Sequence, residues 1–350
     1  MSDTSERNSP IDRRTTAKQV AAMAGVSISA VSRTFTKGAS ISPTTREKVL
    51  AATRTLGYQP NVLARSLMTR RTQLIGLISN NFDNPAFMEI FDLFTRLLQQ
   101  RDLRPLLANL SGDQDKASAL EMLLQYNVDG VIVASSTLPI DFAEACVAAS
   151  LPVVHAFGRA AGKLRGGRRV SVVGADNVQG GRLAGQLLCK HEYRRIAFLG
   201  GPPAASSTRD RFTGFSAALE ERGLATAAVL NAPAYSHEAG IQQMRILLGR
   251  GGIDAVFWGD DILAMGALDA CREADISVPG DIGLVGFNDM AMAGWPSYNL
   301  TTIRQPIRDI ITSAVGVLLG VDANPTRAVQ SRVYMCESRR ARHPAFLLAH

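Results

Sequence analysis

The sequence predicts an α/β chain in two parts: an N-terminal helix-turn-helix headpiece, then a larger core of two doubly wound parallel-sheet lobes. Three observations predict it. Residues 16–33, TAKQVAAMAGVSISAVSR, read as two short helices joined by a tight turn. Residues 1–72 hold twelve Lys/Arg against four Asp/Glu, a surplus of eight, whereas the whole chain carries only +7. From Gln73 onward, short apolar runs alternate with helical stretches in two successive series. A basic module beside a near-neutral body fits a phosphate-binding head, and the alternation fits parallel sheets covered on both faces.

Residues 1–14 are charged and aperiodic and read as a disordered arm. The headpiece is expected over 15–60. Thr16 is a good N-cap, and Gln19 completes a capping box. Val20, Ala21 and Ala24 form a small apolar face, and Gly25 suits the left-handed residue that ends the helix. Ser27 can cap a second helix, Ile28 to Phe35, with Val31 inward. Its outward residues are Ile28, Ser29 and Arg33. Arginine is the best fork for guanine, serine bonds either way, and isoleucine can meet a thymine methyl. Ser42-Pro43 opens a third helix, which ends near Leu56 at Gly57. Small helix pairs of this kind occur in many folds; the local charge surplus favours the DNA-reading plan, whose second helix enters a major groove.

Residues 61–72 are a hinge and linker. Their helical stretch of about eight residues is too short to stand alone in water. It is either a plain linker or a segment that folds on DNA, with Leu67 as a minor-groove wedge. The strings AGVS-x-x-AVSR, TREKVLAA and LGYQPN-x-LARSL, in that order, resemble the headpiece of the lactose-repressor/galactose-repressor (LacI/GalR) family. The resemblance covers nearly the whole chain after about residue 15. It implies DNA contacts by Thr16, Ser27, Ile28, Ser29 and Arg33, and by Asn61, Ala64, Arg65 and Leu67 in the hinge. It also implies a periplasmic-binding-protein-like core over 73–345, with crossovers near Gly174, Thr301 and Arg332. Lobe 1 is then about 73–173 and 302–331, and lobe 2 about 174–301 and 332–345.

Ligands of such cores bind beyond the strand C-termini, between the lobes. The loop 80–87 resembles the family's D-x-x-N-P-F-F, which implies ligand contact by Asp83 and Phe87. R-x-x-G-F places Arg211 in the pocket, where it can fork to a hydroxyl or carboxylate. Tyr235 lies near a ring-stacking position. Asp260 stands where the family usually has Asn, and it could equally be a helix cap. Asn288 stands where the family's G-F-D-D has its first Asp. An amide there carries no charge, so a sugar acid is compatible with the cleft, and Arg159 adds to that idea. The expected effector is a carbohydrate, a sugar or sugar acid.

The other function classes are poorly supported. There is no Walker loop, no G-x-G-x-x-G, no G-x-S-x-G elbow and no metal-type His/Cys cluster. No cofactor and no catalytic residue is expected. The four cysteines are scattered and read as small buried side chains in a reducing compartment. No apolar run approaches the ~20 residues of a membrane span. The polar N-terminus lacks a signal core, so the expected location is the cytoplasm. A transport-binding protein would share the lobes but carry an export signal and no basic head. The tail past Arg339 has no sustained heptads, so a homodimer is expected, reading a roughly palindromic operator.

Overall fold

The computed structural model describes residues 15–36, 38–59, 66, 71–110, 113–138, 140–158, 170–321, 332–334 and 337–339. They belong to two units, 1–72 and 73–350. In the first unit, α1 (Ala17–Ala24), α2 (Ile28–Thr34) and α3 (Pro43–Leu56) are each opened by a hydroxyl cap. Thr16 Oγ1 accepts from the Gln19 amide while Gln19 Oε1 accepts from the Thr16 amide, so two orphan donors are satisfied reciprocally. Gly25 and Gly57 close α1 and α3 at φ of 65° and 60°. The second helix stops at Thr34, one residue short of the expected Phe35, which becomes its C-cap. Helices of seven and eight residues are marginal alone. They are held by a core of Val20, Ala21, Val31, Val49 and Ala52. The Thr15 hydroxyl ties the start of α1 to the Leu56 carbonyl at 2.8 Å.

The second unit holds two six-stranded sheets. The first contains β1 (Leu74–Ser79), β2 (Arg104–Asn109), β3 (Gly130–Ala134), β4 (Val153–Ala156), β5 (Ser171–Ala175) and β11 (Arg332–Tyr334), all parallel, in the order β11-β5-β4-β3-β1-β2. Helices α4 (Pro85–Gln99) and α11 (Ile307–Leu319) supply the core of one face, and α5 (Asp113–Gln125) and α6 (Asp141–Ala148) that of the other. The second sheet contains β6 (Ile196–Gly200), β7 (Ala228–Asn231), β8 (Ala255–Trp258), β9 (Gly283–Asn288), β10 (Thr302–Arg304) and β12 (Glu337–Arg339), in the order β12-β10-β9-β8-β6-β7. Only β12 runs antiparallel to its neighbour. Successive residues alternate between the covers: Ala197, Leu199, Val256 and Trp258 face α9 (His237–Arg250) and α10 (Asp261–Glu273), whereas Phe198 and Phe257 face α7 (Asn177–Lys190) and α8 (Ser206–Glu220).

The apolar runs that alternate with helical stretches in the sequence, at 74–79, 103–109, 128–135, 152–157, 195–201, 254–259 and 282–287, correspond to seven strands; β5, β7, β10 and α11 lie outside that series. The edge strand β7 is short and half-exposed, so it lacks the apolar run that marks the central strands. The first lobe buries α11, whose apolar residues Ile307, Ile310, Ile311, Ala314, Val315 and Leu318 repeat at helical spacing and form the face turned to the sheet. The chain passes between the sheets close to Gly174, Thr301 and Arg332. Gly174 pairs with Val333 and Arg332 with Val173 in the first sheet, and Thr302 pairs with Gly286 in the second. The chain leaves a sheet only after its ladder ends, after Ala175, Arg304 and Tyr334.

Candidate functional site

The C-terminal ends of the strands in both lobes converge on a cleft holding about 520 Å³ of empty space, part of it open to solvent. Its walls are Ala86, Phe87, Ile90, Phe157 and Ile307 on the apolar side, with Asn81, Asn177, Ser207, Arg211, Tyr235, Asp260, Asn288 and Gln305 supplying polar groups. Each polar group has a local reason to be there.

Arg211 is one turn inside α8. Helices α7 and α8 cross so closely that a Cβ on Gly181 would lie 1.9 Å from the Arg211 carbonyl oxygen. The guanidinium is 5% exposed and lies 3.6 Å from the Phe287 ring centroid. Its Nε donates to Asn177 Oδ1 at 2.9 Å, and one terminal nitrogen donates to the Gly259 carbonyl.

Asp260 caps α10, with Oδ1 accepting from the Ile262 amide at 3.0 Å. Its other oxygen accepts from Asn288 Nδ2 at 2.8 Å and Asn84 Nδ2 at 3.2 Å. Burial pushes the Asp260 pKa up, while the Ile262 amide, Arg211, Asn288 and Asn84 all favour the charged form. The next residue, Asp261, is fully buried beside Thr302 and the Met290 amide, and burial raises its pKa to about 7. Tyr235 packs over Gly201, where a Cβ would meet the ring at 2.1 Å. Its hydroxyl is shared with Ser207 and Thr208 at 3.3 and 3.0 Å.

Among the residues expected in the cleft, Phe87, Arg211, Tyr235, Asp260 and Asn288 line it. Asp83 does not. It is exposed, because the next residue, Asn84, turns inward to cap α4. Arg159 lies outside the described residues. Asp260 satisfies both of its sequence readings, since it caps a helix and lines the cleft. The charge that Asn288 lacks stands on Asp260, 2.8 Å away, so the cleft retains a carboxylate. Sequence reasoning missed Asn81, Asn84, Asn177, Ser207 and Gln305. Asn84 sits inside the 80–87 motif, Asn177 follows the end of β5, and Gln305 follows the end of β10.

In the first unit, Thr16, Ser27, Ile28, Ser29 and Arg33 are all exposed. Ser27 Oγ lies 2.8 Å from Ser29 Oγ and accepts from the Ala30 amide, so part of its capacity serves the helix start. The exposed charged residues of 15–59 are Lys18, Arg33, Arg46, Lys48 and Arg54 against Glu47 among the described residues. Asn61, Ala64, Arg65 and Leu67 lie outside the described residues. Among the described residues there is no His/Cys/Asp/Glu group suited to a metal, and no helix long and apolar enough to cross a membrane.

The bacterial regulatory protein profile of the lacI family matches residues 16–61, and a periplasmic binding protein-like domain profile matches residues 186–343. The chain is 34% identical over 313 residues to the sucrose operon repressor of Pediococcus pentosaceus, covering 88% of this chain and 93% of the relative. It is 31% identical over 320 residues to the ribose operon repressor of Escherichia coli strain K12, covering 89% and 94%. Among solved structures, the lac repressor dimer bound to operator and the anti-inducer ONPF superposes with a TM-score of 0.82 at 27% identity, covering 94% of this chain and 99% of that one. The complex of the transcriptional regulator CelR with cellobiose gives 0.66 at 28% identity, covering 93% and 98%. Kinship above 30% identity along nearly the full length settles the family: the chain belongs to the lacI family of bacterial regulatory proteins.

Proposed function

We propose that this chain is a cytoplasmic transcription repressor that binds a roughly palindromic operator as a homodimer and is governed by a neutral carbohydrate in the interlobe cleft. The relatives named for sucrose and ribose operons and the cellobiose complex support a sugar. The exposed row Ile28, Ser29 and Arg33 on α2 supports groove reading. Phosphate contacts from the neighbouring cations fix the register, and the segment around Asn61, Ala64, Arg65 and Leu67 folds on DNA, with Leu67 as the wedge. Effector shifts operator affinity only through its different affinities for the two lobe arrangements.

The observation that carries the choice of a neutral effector is the charge balance of the cleft. Among the described residues, its walls carry one cation, Arg211, and one carboxylate, Asp260. The carboxyl accepts three N–H donors, an arrangement suited to its ionised form. Two of the guanidinium's donors already serve Asn177 and Gly259. A sugar acid entering here meets an existing anion and a cation already engaged, at a desolvation cost nothing offsets. A neutral sugar meets amides, hydroxyls and aromatic faces. Calorimetry of the full chain against cellobiose, ribose, sucrose, gluconate and galacturonate tests this. Saturable binding of neutral sugars alone is expected; binding of the acids alone overturns it. Selection from random duplexes at low salt tests the DNA half, and failure to retain any duplex overturns that.

A further inference from the structure

We propose that Asn84 is an interlobe positioning residue, a latch whose single amide holds the first lobe onto Asp260 of the second and so ties cleft occupancy to the placement of α4. Asn84 is 2% exposed. Its Oδ1 accepts from the Ala86 amide at 3.0 Å and starts α4; its Nδ2 crosses the cleft to Asp260 Oδ2 at 3.2 Å. One planar group therefore fixes a helix in one lobe by its oxygen and grips the other lobe by its nitrogen.

The contact is one link of a longer run. Asp260 Oδ2 also accepts from Asn288 Nδ2, and Asn288 Oδ1 accepts from Gln305 Nε2, in the crossover that leads back to the first lobe. The same end of α4 makes two further contacts with the second lobe. Glu89 Oε1 accepts from the Ala291 amide at 3.0 Å, and Ala86 packs within the second lobe's core cluster. A carboxylate oxygen offers two acceptor sites, and both sites of Oδ2 are filled. A ligand hydroxyl seeking Oδ2 must displace Asn84 or Asn288. Through Asn84, the competition is felt as a loosening of α4.

The proposal rests on the cleft reading above for its purpose, but its test needs neither DNA nor a known effector. Hydrogen exchange by mass spectrometry is followed on the full chain for the wild type, Asn84→Ser and Asn84→Asp. Serine and aspartate both cap helices well, so α4 keeps its start. Serine is too short to reach Asp260, and aspartate sets two carboxylates face to face. The deciding readout is the Ala291 amide region in the opposite lobe: both variants keep the cap, and this amide is held by Glu89 of α4, so its exchange reports whether α4 still sits on the second lobe. Exchange there is expected to rise roughly tenfold or more in both variants, the factor for losing one hydrogen bond to a charged group. Peptides from 16–59 serve as unchanged internal controls. The reciprocal pair Asn84→Asp with Asp260→Asn restores a donor facing an acceptor and should recover most of the protection. If Asn84→Asp fails to fold, Asn84→Ser decides alone. Wild-type exchange around Ala291 in a folded Asn84→Ser overturns the latch even if the protein binds DNA and sugar. The expected rise in a protein that binds neither leaves the latch standing and removes the regulator reading.

Discussion

Replacing Gly201 with alanine tests whether the Tyr235 wall of the cleft is as tightly set as the structure shows. A Cβ at this position would lie 2.1 Å from Tyr235 Cε1, 2.2 Å from Cζ and 2.7 Å from Oη. Ordinary contact begins at 3.4 Å, so the ring must retreat by about 1.3 Å. It cannot do so freely, because its hydroxyl is held by the buried Ser207 and Thr208 at 3.3 and 3.0 Å. Overpacking of a filled core costs about 1–3 kcal/mol, and a strained neutral hydrogen bond adds roughly 0.5–1.5 kcal/mol. The sum is about 1.5–4.5 kcal/mol. For a unit of this size that lowers Tm by roughly 3–18 °C. The control is Gly249→Ala in α9, where nothing lies within 4 Å of the added methyl; alanine there should be neutral or stabilising by about 0.5–1 kcal/mol. Differential scanning fluorimetry of both variants decides. Equal melting temperatures for the two would refute the packing argument.

Further expectations are independent of that wall. Arg33→Ala should relax base preference at one operator position by roughly 1–3 kcal/mol in a binding-site selection; an unaltered preference assigns Arg33 to phosphate alone. Arg211→Ala should leave duplex affinity intact while abolishing any sugar response, and it leaves Gly259 O and Asn177 Oδ1 without their donor. Arg211→Lys, which keeps the charge but not the fork, guards against a folding defect; a wild-type response in either variant removes Arg211 from recognition. Asp261 has a folded pKa of about 7 against an ordinary 3.8. The folded state therefore holds a proton that the unfolded chain releases between these values. Its contribution to stability is fully present below about pH 4 and is lost as pH rises through about 7. The Tm of the wild type should fall across that window, and Asp261→Asn should flatten the slope. Identical slopes would show that another group governs it.

The parts of the fold that were legible in the sequence are those set by short-range chemistry. Thr16, Ser27 and Ser42 open helices and Gly25 and Gly57 close them, because a cap depends on two or three neighbouring residues. Central strands were legible because burial on both faces demands unbroken apolar runs. The half-exposed β7 lacks an apolar run because only Leu230 of its four residues is buried, whereas α11 carries its signal openly, with Ile307, Ile310, Ile311, Ala314, Val315 and Leu318 at helical spacing. Five of the cleft-lining residues, Phe87, Arg211, Tyr235, Asp260 and Asn288, could be named from strand ends and motif positions. Their electrostatics could not. Asp260 and Asn288 are 28 residues apart in sequence and 2.8 Å apart in space, so what reads along the chain as a missing charge is, in the cleft, a relocated one. Asp83 failed for a simpler reason: in a run of polar residues only one turns inward to cap the helix, and that one is Asn84.

The last paired segments of the chain, β11 and β12, sit three residues apart yet finish different sheets. Neither lobe can therefore be cloned as one continuous fragment. A stop codon just ahead of Arg332 would strip an outer strand from both halves at once, leaving two raw edges open to pairing with other chains. Nonsense and frameshift lesions ahead of Arg332 should yield insoluble protein, not a shortened but folded one.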